Sequence, residues 1–256
     1  MFIVFASEPA LIEYQEYKGE LRAYQLYVEL ESIEPRALVY ARSQVDRFLS
    51  SVNGSACALD PPDPDPITFR DILGEDLSYK GFLSSIDLDF KVSRTQGGGE
   101  SSKAFGSYCR DGGISVDLMG EAAIEDGLTG IKGWRSIRSS GCQQTAYYKM
   151  RDALEWIESR LRVAVREASE ELPNSTGFLR KLGQELGGLL SEFRACYPDL
   201  ELRLSYEKDF YFEYGELRAL INFKIILRDP QGLFIEGGEE RKGFWCIREL
   251  VIFAGG

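Results

Sequence analysis

Two apolar stripes in the second half of the chain constrain the fold more than any other feature of the sequence. One stripe recurs every three or four residues from Tyr147 to Leu172, which corresponds to about seven turns of helix. The second runs in the same way from Phe178 to Phe193, and the segment PNST between them combines a helix breaker with capping residues. So short a connection predicts two antiparallel helices, that is, a long helical hairpin.

Strands are predicted on both sides of this hairpin. Residues 200–206 and 217–227 alternate apolar and polar side chains, as half-buried antiparallel strands do. The Asp229-Pro230-Gln231-Gly232 segment predicts a tight turn between two strands. Gly237-Gly238 and Gly243 are predicted to bracket a charged turn before the last strand, which would begin at Phe244. The region after the hairpin is therefore expected to be an antiparallel meander.

The first half of the chain has a mixed pattern. Residues 2–6 form a short apolar run, and residues 21–31 alternate with period two, so both segments are predicted as strands. In the second of them Tyr24, Leu26, Val28 and Leu30 would share one face. Residues 34–52 instead carry apolar side chains at helical spacing, with Pro35 suited to a first helical turn.

These elements predict an α+β fold in which a mostly antiparallel sheet packs against the helical hairpin. We divide the chain into a strand-rich part, residues 1–135, and a part with the hairpin and the meander, residues 136–256. The two parts could form two domains or one continuous domain.

The absence of histidine from all 256 residues excludes several kinds of site. No Ser-His-Asp or Cys-His nucleophile, no histidine zinc ligand and no histidine acid or base can exist here. Catalysis would have to depend on carboxylates, Lys, Tyr, Cys or a carboxylate-bound metal. The formal net charge of -11 disfavours general nucleic-acid binding and favours a basic protein partner.

Cysteine usage and hydropathy bear on the compartment. The five cysteines form no CxxC pair, and their odd number favours reduced, mostly buried thiols. No apolar run approaches the roughly 18 residues that a membrane-spanning helix needs. The first residues also lack the basic region of a signal peptide. We therefore expect a soluble, cytoplasmic protein without a membrane partner.

Three aspartates form a candidate metal site. Asp87 and Asp89 lie in a strand-like segment, IDLDF, and Asp117 lies in the next one, VDL. Two carboxylates on one sheet face and a third on a paired strand are suited to binding divalent cations. The arrangement resembles the aspartate triad of the nucleotidyltransferase superfamily, which implies Mg²⁺ and nucleotidyl or phosphoryl transfer.

The chain departs from that family upstream of the aspartates. The family's Gly-Ser pair has no counterpart here, because Gly74 is followed by Glu75. The alternative is that Asp87 and Asp89 lie on the solvent-exposed face of an amphipathic strand whose apolar side chains face the core. In that case no cofactor is expected, and Mg²⁺ belongs to the enzyme hypothesis alone.

The segment TQGGGESSKAFGS, residues 95–107, connects these two predicted strands. It does not match the P-loop pattern, because Lys103 is followed by Ala104. We interpret it as a mobile hairpin loop. In the enzyme hypothesis the loop from Gly97 to Gly113 would help to hold phosphates.

A basic segment interrupts the acidic chain. Residues 127–151 contain no acid, and Ser139 to Cys142 are predicted to lie where the long helix begins, so their free N–H groups would bind an anion and lower the pKa of Cys142. The candidate anion-binding residues are Lys132, Arg135, Arg138, Ser140 and Lys149. The alternative is a solvated basic surface.

The last two residues, Gly255 and Gly256, are similar to the tail of ubiquitin-like modifiers and sulfur carriers. That resemblance implies that the terminal carboxylate enters an adenylating enzyme. The order of the preceding elements does not match the small fold of those families, and the alternative is a chance ending.

We expect a protein-binding or regulatory protein, such as an inhibitor, an immunity-type protein or an assembly subunit. Its acidic surface would steer it to a basic partner, and exposed aromatic side chains would anchor the complex. The expected acidic residues are Asp60, Asp63, Asp65, Asp71, Glu75 and Asp76. The alternative functions are the metal-dependent transferase and the carrier with the Gly-Gly tail.

Overall fold

The computed structural model describes residues 8–95, 111–172 and 174–255. In chain order its elements are α1 (Glu8–Val52), α2 (Pro66–Tyr79), β1 (Phe82–Arg94), β2 (Ile114–Asp126), β3 (Lys132–Cys142), α3 (Tyr147–Ser169), α4 (Ser175–Cys196), β4 (Glu201–Glu213), β5 (Glu216–Glu236) and β6 (Glu239–Ala254). The predicted strand at residues 2–6 and most of the glycine-rich segment, residues 96–107, lie outside the described residues.

The strands form two antiparallel sheets of three strands each. The N-terminal sheet has the order β1-β2-β3, and the C-terminal sheet has the order β4-β5-β6. Helix α1 packs on β2, β3 and β5, and the hairpin α3–α4 packs on the C-terminal sheet. Side chains from both sheets and all four helices of the described chain form one hydrophobic cluster. The prediction of an α+β fold is confirmed.

Two helices form at the predicted positions, although α3 ends at Ser169 and the predicted stripe continued to Leu172. Asn174 caps α4, because its side-chain oxygen accepts hydrogen bonds from the backbone N–H groups of Thr176 and Gly177. Both apolar stripes are buried, with Ile157 and Leu161 of α3 and Phe178 of α4 inaccessible to solvent. Burial of these stripes is what stabilises helices of this length.

The predicted strand at residues 21–31 is wrong, because this segment belongs to α1. Leu26 and Leu30 are buried, but Tyr24 and Val28, which would share their face in a strand, are exposed. The buried positions continue at Ile33 and onward with helical spacing. Residues four apart lie on one face of both a strand and a helix, so the alternation alone did not discriminate.

Pro35 consequently lies inside a helix rather than in its first turn. A proline at an interior position removes one backbone hydrogen bond and disfavours the helix. Its neighbours Ile33 and Ala37 are fully buried, so tertiary packing on both sides offsets this local cost.

The predicted turn at residues 229–232 is also wrong, because β5 continues through it with an irregular register between Asp229 and Leu233. The carboxylate of Asp229 is buried and accepts hydrogen bonds from the backbone N–H groups of Gln231 and Ala146, at 3.2 and 2.9 Å. These contacts stabilise a bulge in place of a chain reversal. A turn is present at Gly237-Gly238, with positive φ angles at both glycines, but the rest of the predicted charged turn, up to Gly243, belongs to β6.

The prediction of reduced thiols is wrong for three of the cysteines. Cys57 and Cys246 form a disulfide with a Cα–Cα distance of 5.7 Å across a sequence separation of 189 residues. Cys142 is disulfide-bonded as well. Cys196 is free and exposed, and Cys109 lies outside the described residues.

The proposed division of the chain after residue 135 stays a prediction, and that position lies within β3. Within the described ranges, no helix is both long enough and apolar enough to cross a bilayer.

Candidate functional site

The N-terminal sheet has one covered face and one open face. Helices α1 and α2 pack on the face that carries Ile86, Leu88, Leu118 and Ile137, all of which are buried. The opposite face, which we call the outer face, is largely open to solvent, although Ser115 and Cys142 at one end of it are buried. It carries five carboxylates, three cations and three large apolar side chains: Asp87, Asp89, Asp117, Glu121, Glu125, Lys91, Lys132, Arg138, Leu83, Met119 and Trp134.

Strand register sets the order of the aspartates on the outer face. Asp87 lies opposite Glu121, Asp89 lies opposite Met119, and Asp117 lies opposite Lys91. Side chains directly opposite each other in an antiparallel pair share a face of the sheet. All three aspartates of the candidate metal site therefore lie on the outer face.

The same register keeps these aspartates apart. Asp117 is displaced from Asp87 by four positions, which is about 13 Å along the strand. The Ser93 hydroxyl donates to Asp117 Oδ2 at 3.4 Å, and the side chain of Asp87 is 92% exposed with Arg70 at 3.9 Å. In the part of the chain that the structure describes, no group of three or more His, Cys, Asp or Glu residues could hold a metal ion. The metal triad and its Mg²⁺ gain no support from this geometry and stay predictions.

Gly120 allows β1 and β2 to approach closely next to Asp87 and Asp89. It lies opposite Leu88, between the rows of Asp87 and Asp89, with a φ of +150°. A Cβ atom at this position would overlap the carbonyl oxygen of Asp87. Only glycine fits without separating the two strands.

The residues of the predicted anion site lie on different surfaces. Lys132, Arg138 and Ser140 are on the outer face, and Lys132 pairs with Glu125 at 2.9 Å. Arg135 is on the covered face, where it bonds Glu31 and Glu34 of α1 at 2.7 Å. Lys149 bonds Asp199 at 2.7 Å. These five residues do not converge on one anion.

The predicted helix start at Ser139 to Cys142 is wrong, because this segment is the end of β3. Helix α3 begins at Tyr147, after Ala146, whose side chain makes no capping hydrogen bond. Cys142 is disulfide-bonded and therefore has no thiol to titrate. The segment ends a strand because its residues pair with β2, Ser140 with Asp117 and Gly141 with Val116.

Four of the six carboxylates that were predicted to bind a partner make contacts with other groups of the chain, although they lie at its surface. Asp60 pairs with Arg151. Asp63 accepts a hydrogen bond of 2.6 Å from the backbone N–H of Val92. These contacts hold the proline-rich connection between α1 and α2 against its neighbours.

Asp65 and Asp76 organise the two ends of α2. Asp65 is the N-cap and accepts hydrogen bonds from the backbone N–H groups of Ile67 and Thr68; the hydrogen bond from the Thr68 hydroxyl contributes most to lowering its pKa. Asp76 binds Lys80 and Arg36 at 2.9 and 2.7 Å, and both cations lower its pKa.

Asp71 and Glu75, the remaining two, are exposed on α2 and make no ion pair with any described residue. Helix α2 packs along β1, and Arg70 reaches Asp87 from it. Asp71 and Glu75 lie on the side of α2 opposite its buried residues Phe69, Leu73 and Leu77, so they face solvent.

A cavity of about 550 Å³ on the C-terminal sheet was not predicted from the sequence. Its lining includes four cations, two carboxylates and two aromatic residues: Arg203, Arg228, Arg241, Lys242, Glu201, Glu236, Phe234 and Trp245. They come from three strands and form no motif along the chain. The only sequence signal was the position of Arg203 on the polar face of the predicted strand at residues 200–206.

The predicted carrier tail is only partly described. Strand β6 ends at Ala254, which lies opposite Ala219, and Gly255 follows it directly. Gly256 lies outside the described residues. The carrier function stays a prediction.

The fold and these surfaces define an α+β protein with two antiparallel sheets, an open acidic sheet face and a basic cavity. Comparison with known proteins gives no match, whether to a family model, to a curated protein or to a solved structure.

Proposed function

We propose that this protein is a non-catalytic binding protein whose outer face docks on a basic surface of a protein partner. The observation that carries the proposal is the open outer face, where exposed apolar side chains stand among an excess of carboxylates. The class of function is the one expected from the sequence. The proposed binding surface is the outer face of the N-terminal sheet instead of the proline-rich connection.

Three apolar side chains support the docking role. Trp134 is 74% exposed, and Met119 and Leu83 are also exposed on the same face. Tryptophan is enriched among the residues that dominate binding energy, because it buries a large area with few rotatable bonds. Its place on β3, an edge strand, leaves room for a partner to approach from the side as well as from above.

Charge supports a basic partner. The outer face carries five carboxylates against three cations. The whole chain has a net charge of -11, so its field attracts a cationic surface at long range. Such complementarity raises association rates and orients the encounter.

The disulfide-bonded cysteines indicate the compartment in which this proposed function would operate. Disulfides such as Cys57–Cys246 persist in oxidising compartments and are rare in the cytosol. We therefore place the function in an oxidising compartment, and the disulfides argue against the cytoplasmic expectation. The metal-dependent transferase stays a prediction that no observed geometry favours.

The test uses the partner that the wild-type protein captures from an extract of the source organism, purified and identified as basic. We expect Trp134→Ala to weaken binding of that partner by at least about tenfold, since an anchoring indole is lost. The double change Asp89→Asn/Glu121→Gln should slow association and flatten its dependence on salt. Calorimetry and association kinetics at two salt concentrations measure these effects.

Tyr214→Ala is the control, because Tyr214 is an even more exposed aromatic residue and lies on the turn between β4 and β5. It should leave the affinity unchanged. The proposal is wrong if Trp134→Ala and Tyr214→Ala have the same effect, or if binding does not respond to salt.

A further inference from the structure

The C-terminal sheet carries a basic cavity on the face turned away from the hydrophobic cluster. Arg203 lies opposite Ile226, and Arg228 lies opposite both Glu201 and Trp245, so these side chains share one face. The bulge between Asp229 and Leu233 bends β5, and the chain beyond it adds Lys242 to the lining. Its volume of about 550 Å³ is in the range of small-molecule sites.

The cations of the cavity are not neutralised equally. Arg228 lies 3.4 Å from Glu201, and Arg241 lies 3.1 Å from Glu239. Arg203 and Lys242 make no ion pair or side-chain hydrogen bond with any residue that the structure describes. Two cations are thus left to meet a ligand, although Glu201 and Glu236 also line the cavity.

Gly243 leaves room for one edge of the Arg228 guanidinium at the cavity wall. A Cβ atom at Gly243 would stand 2.8 Å from Nη2 of Arg228, and its φ of +88° also favours glycine. A planar guanidinium can donate two parallel hydrogen bonds to a phosphate or carboxylate.

Trp245 supplies an apolar ring and is held in place by its backbone. The backbone N–H of Trp245 donates a hydrogen bond to Asn53 Oδ1 at 3.1 Å, and its backbone carbonyl accepts one from the backbone N–H of Gly54 at 2.8 Å. The disulfide between Cys57 and Cys246 fixes the same two segments. The side chain is 42% exposed and lines the cavity, so one surface remains available for contact.

We propose that this cavity binds a small ligand in which a compact oxyanion, phosphate or carboxylate, is attached to an apolar ring. Arg203, Arg228 and Lys242 hold the oxyanion, and the ring lies against Trp245. This site is independent of the docking function of the outer face, because it lies on the other sheet.

The test uses phenyl phosphate and benzoate as probes, with phenol and inorganic phosphate as the ring-only and anion-only comparisons. The chain has three tryptophans, and Trp245→Phe identifies the indole N–H signal of Trp245 in a ¹⁵N-labelled sample. We expect a saturable shift of that signal with phenyl phosphate or benzoate, and weaker binding of inorganic phosphate. The ratio of the affinity for phenyl phosphate to the affinity for benzoate shows whether the site prefers phosphate or carboxylate.

Arg203→Gln and Lys242→Gln should each weaken binding by about tenfold or more, because each removes a charge-assisted hydrogen bond. Arg162→Gln removes the same charge from an exposed position on α3 and should leave the affinity unchanged. The proposal is overturned if neither anion moves the signal up to about 10 mM. Equal shifts with phenol, or equal weakening by Arg162→Gln, would overturn it as well.

Discussion

Replacing both Cys57 and Cys246 by alanine is expected to lower the free energy of unfolding by about 2–5 kcal/mol. The disulfide closes a loop of 189 residues, so the unfolded chain gains much conformational freedom when it is lost. For a chain of this size the melting temperature should fall by roughly 5–15 °C. Denaturant and thermal unfolding under oxidising conditions measure the change.

The disulfide also fastens the end of α1 to the C-terminal sheet. It joins the segment after α1 to β6, next to the hydrogen bonds Gly54 N–H to Trp245 O and Ile247 N–H to Ser55 O. Cys196→Ala is the control, because that cysteine is free and exposed. It should leave the unfolding curve in place. Equal stability of the double variant and this control would mean that Cys57 and Cys246 do not crosslink the protein.

Asp126→Ala is expected to destabilise the protein by about 2–4 kcal/mol, because it removes the partner of a largely buried arginine. Asp126 is fully buried and binds the guanidinium of Arg22, which joins α1 to the end of β2. The same carboxylate accepts a hydrogen bond of 3.1 Å from the backbone N–H of Thr129 and so orders the turn before β3. Urea unfolding at neutral pH measures the loss.

The pKa of Asp126 predicts how this contribution depends on pH. The hydrogen bond from Arg22 contributes most to lowering the pKa of Asp126, to about 2 from an ordinary value of 3.8. A carboxyl whose pKa is lower in the folded state stabilises the protein above its unfolded pKa. The stabilisation, about 2 kcal/mol, is therefore present above pH 4 and is lost as the pH falls towards 2.

Asp126→Asn isolates the contribution of Asp126 to the pH dependence of stability from that of the other carboxylates. The change keeps the size of the side chain and removes its charge. The difference in stability between wild type and this variant should shrink between about pH 4 and pH 2. A difference that stays constant over this range would show that the Arg22–Asp126 pair does not depend on charge.

The sequence analysis succeeded where one segment carries its own signal. The stripes of α3 and α4 repeat over many residues, so helical periodicity, length and the cap at Asn174 all indicate the same structure. The alternation around Asp87 and Asp89 likewise indicated a strand with one solvent-exposed face, because apolar and polar side chains alternate regularly from Ile86 to Ser93.

The errors fall where distant parts of the chain decide between two local possibilities. Leu26 and Leu30 fit either a strand or a helix, and the helix forms because they pack on Gly133 and its neighbours in the N-terminal sheet. The Asp229 segment resembles a turn, and a bulge forms because Asp229 is bonded to Ala146, far away in the chain. Disulfide pairing is non-local for the same reason.

The sequence by itself determined the fold class, the helical hairpin, the acidic charge and the exclusion of histidine chemistry, because periodicity and composition are properties of the chain alone. Only the tertiary structure decided which charges meet. Strand register set Asp117 opposite Lys91 rather than beside Asp87, and it brought Arg203, Arg228 and Trp245 to one cavity. Register depends on pairing between separate strands, and no single segment encodes it.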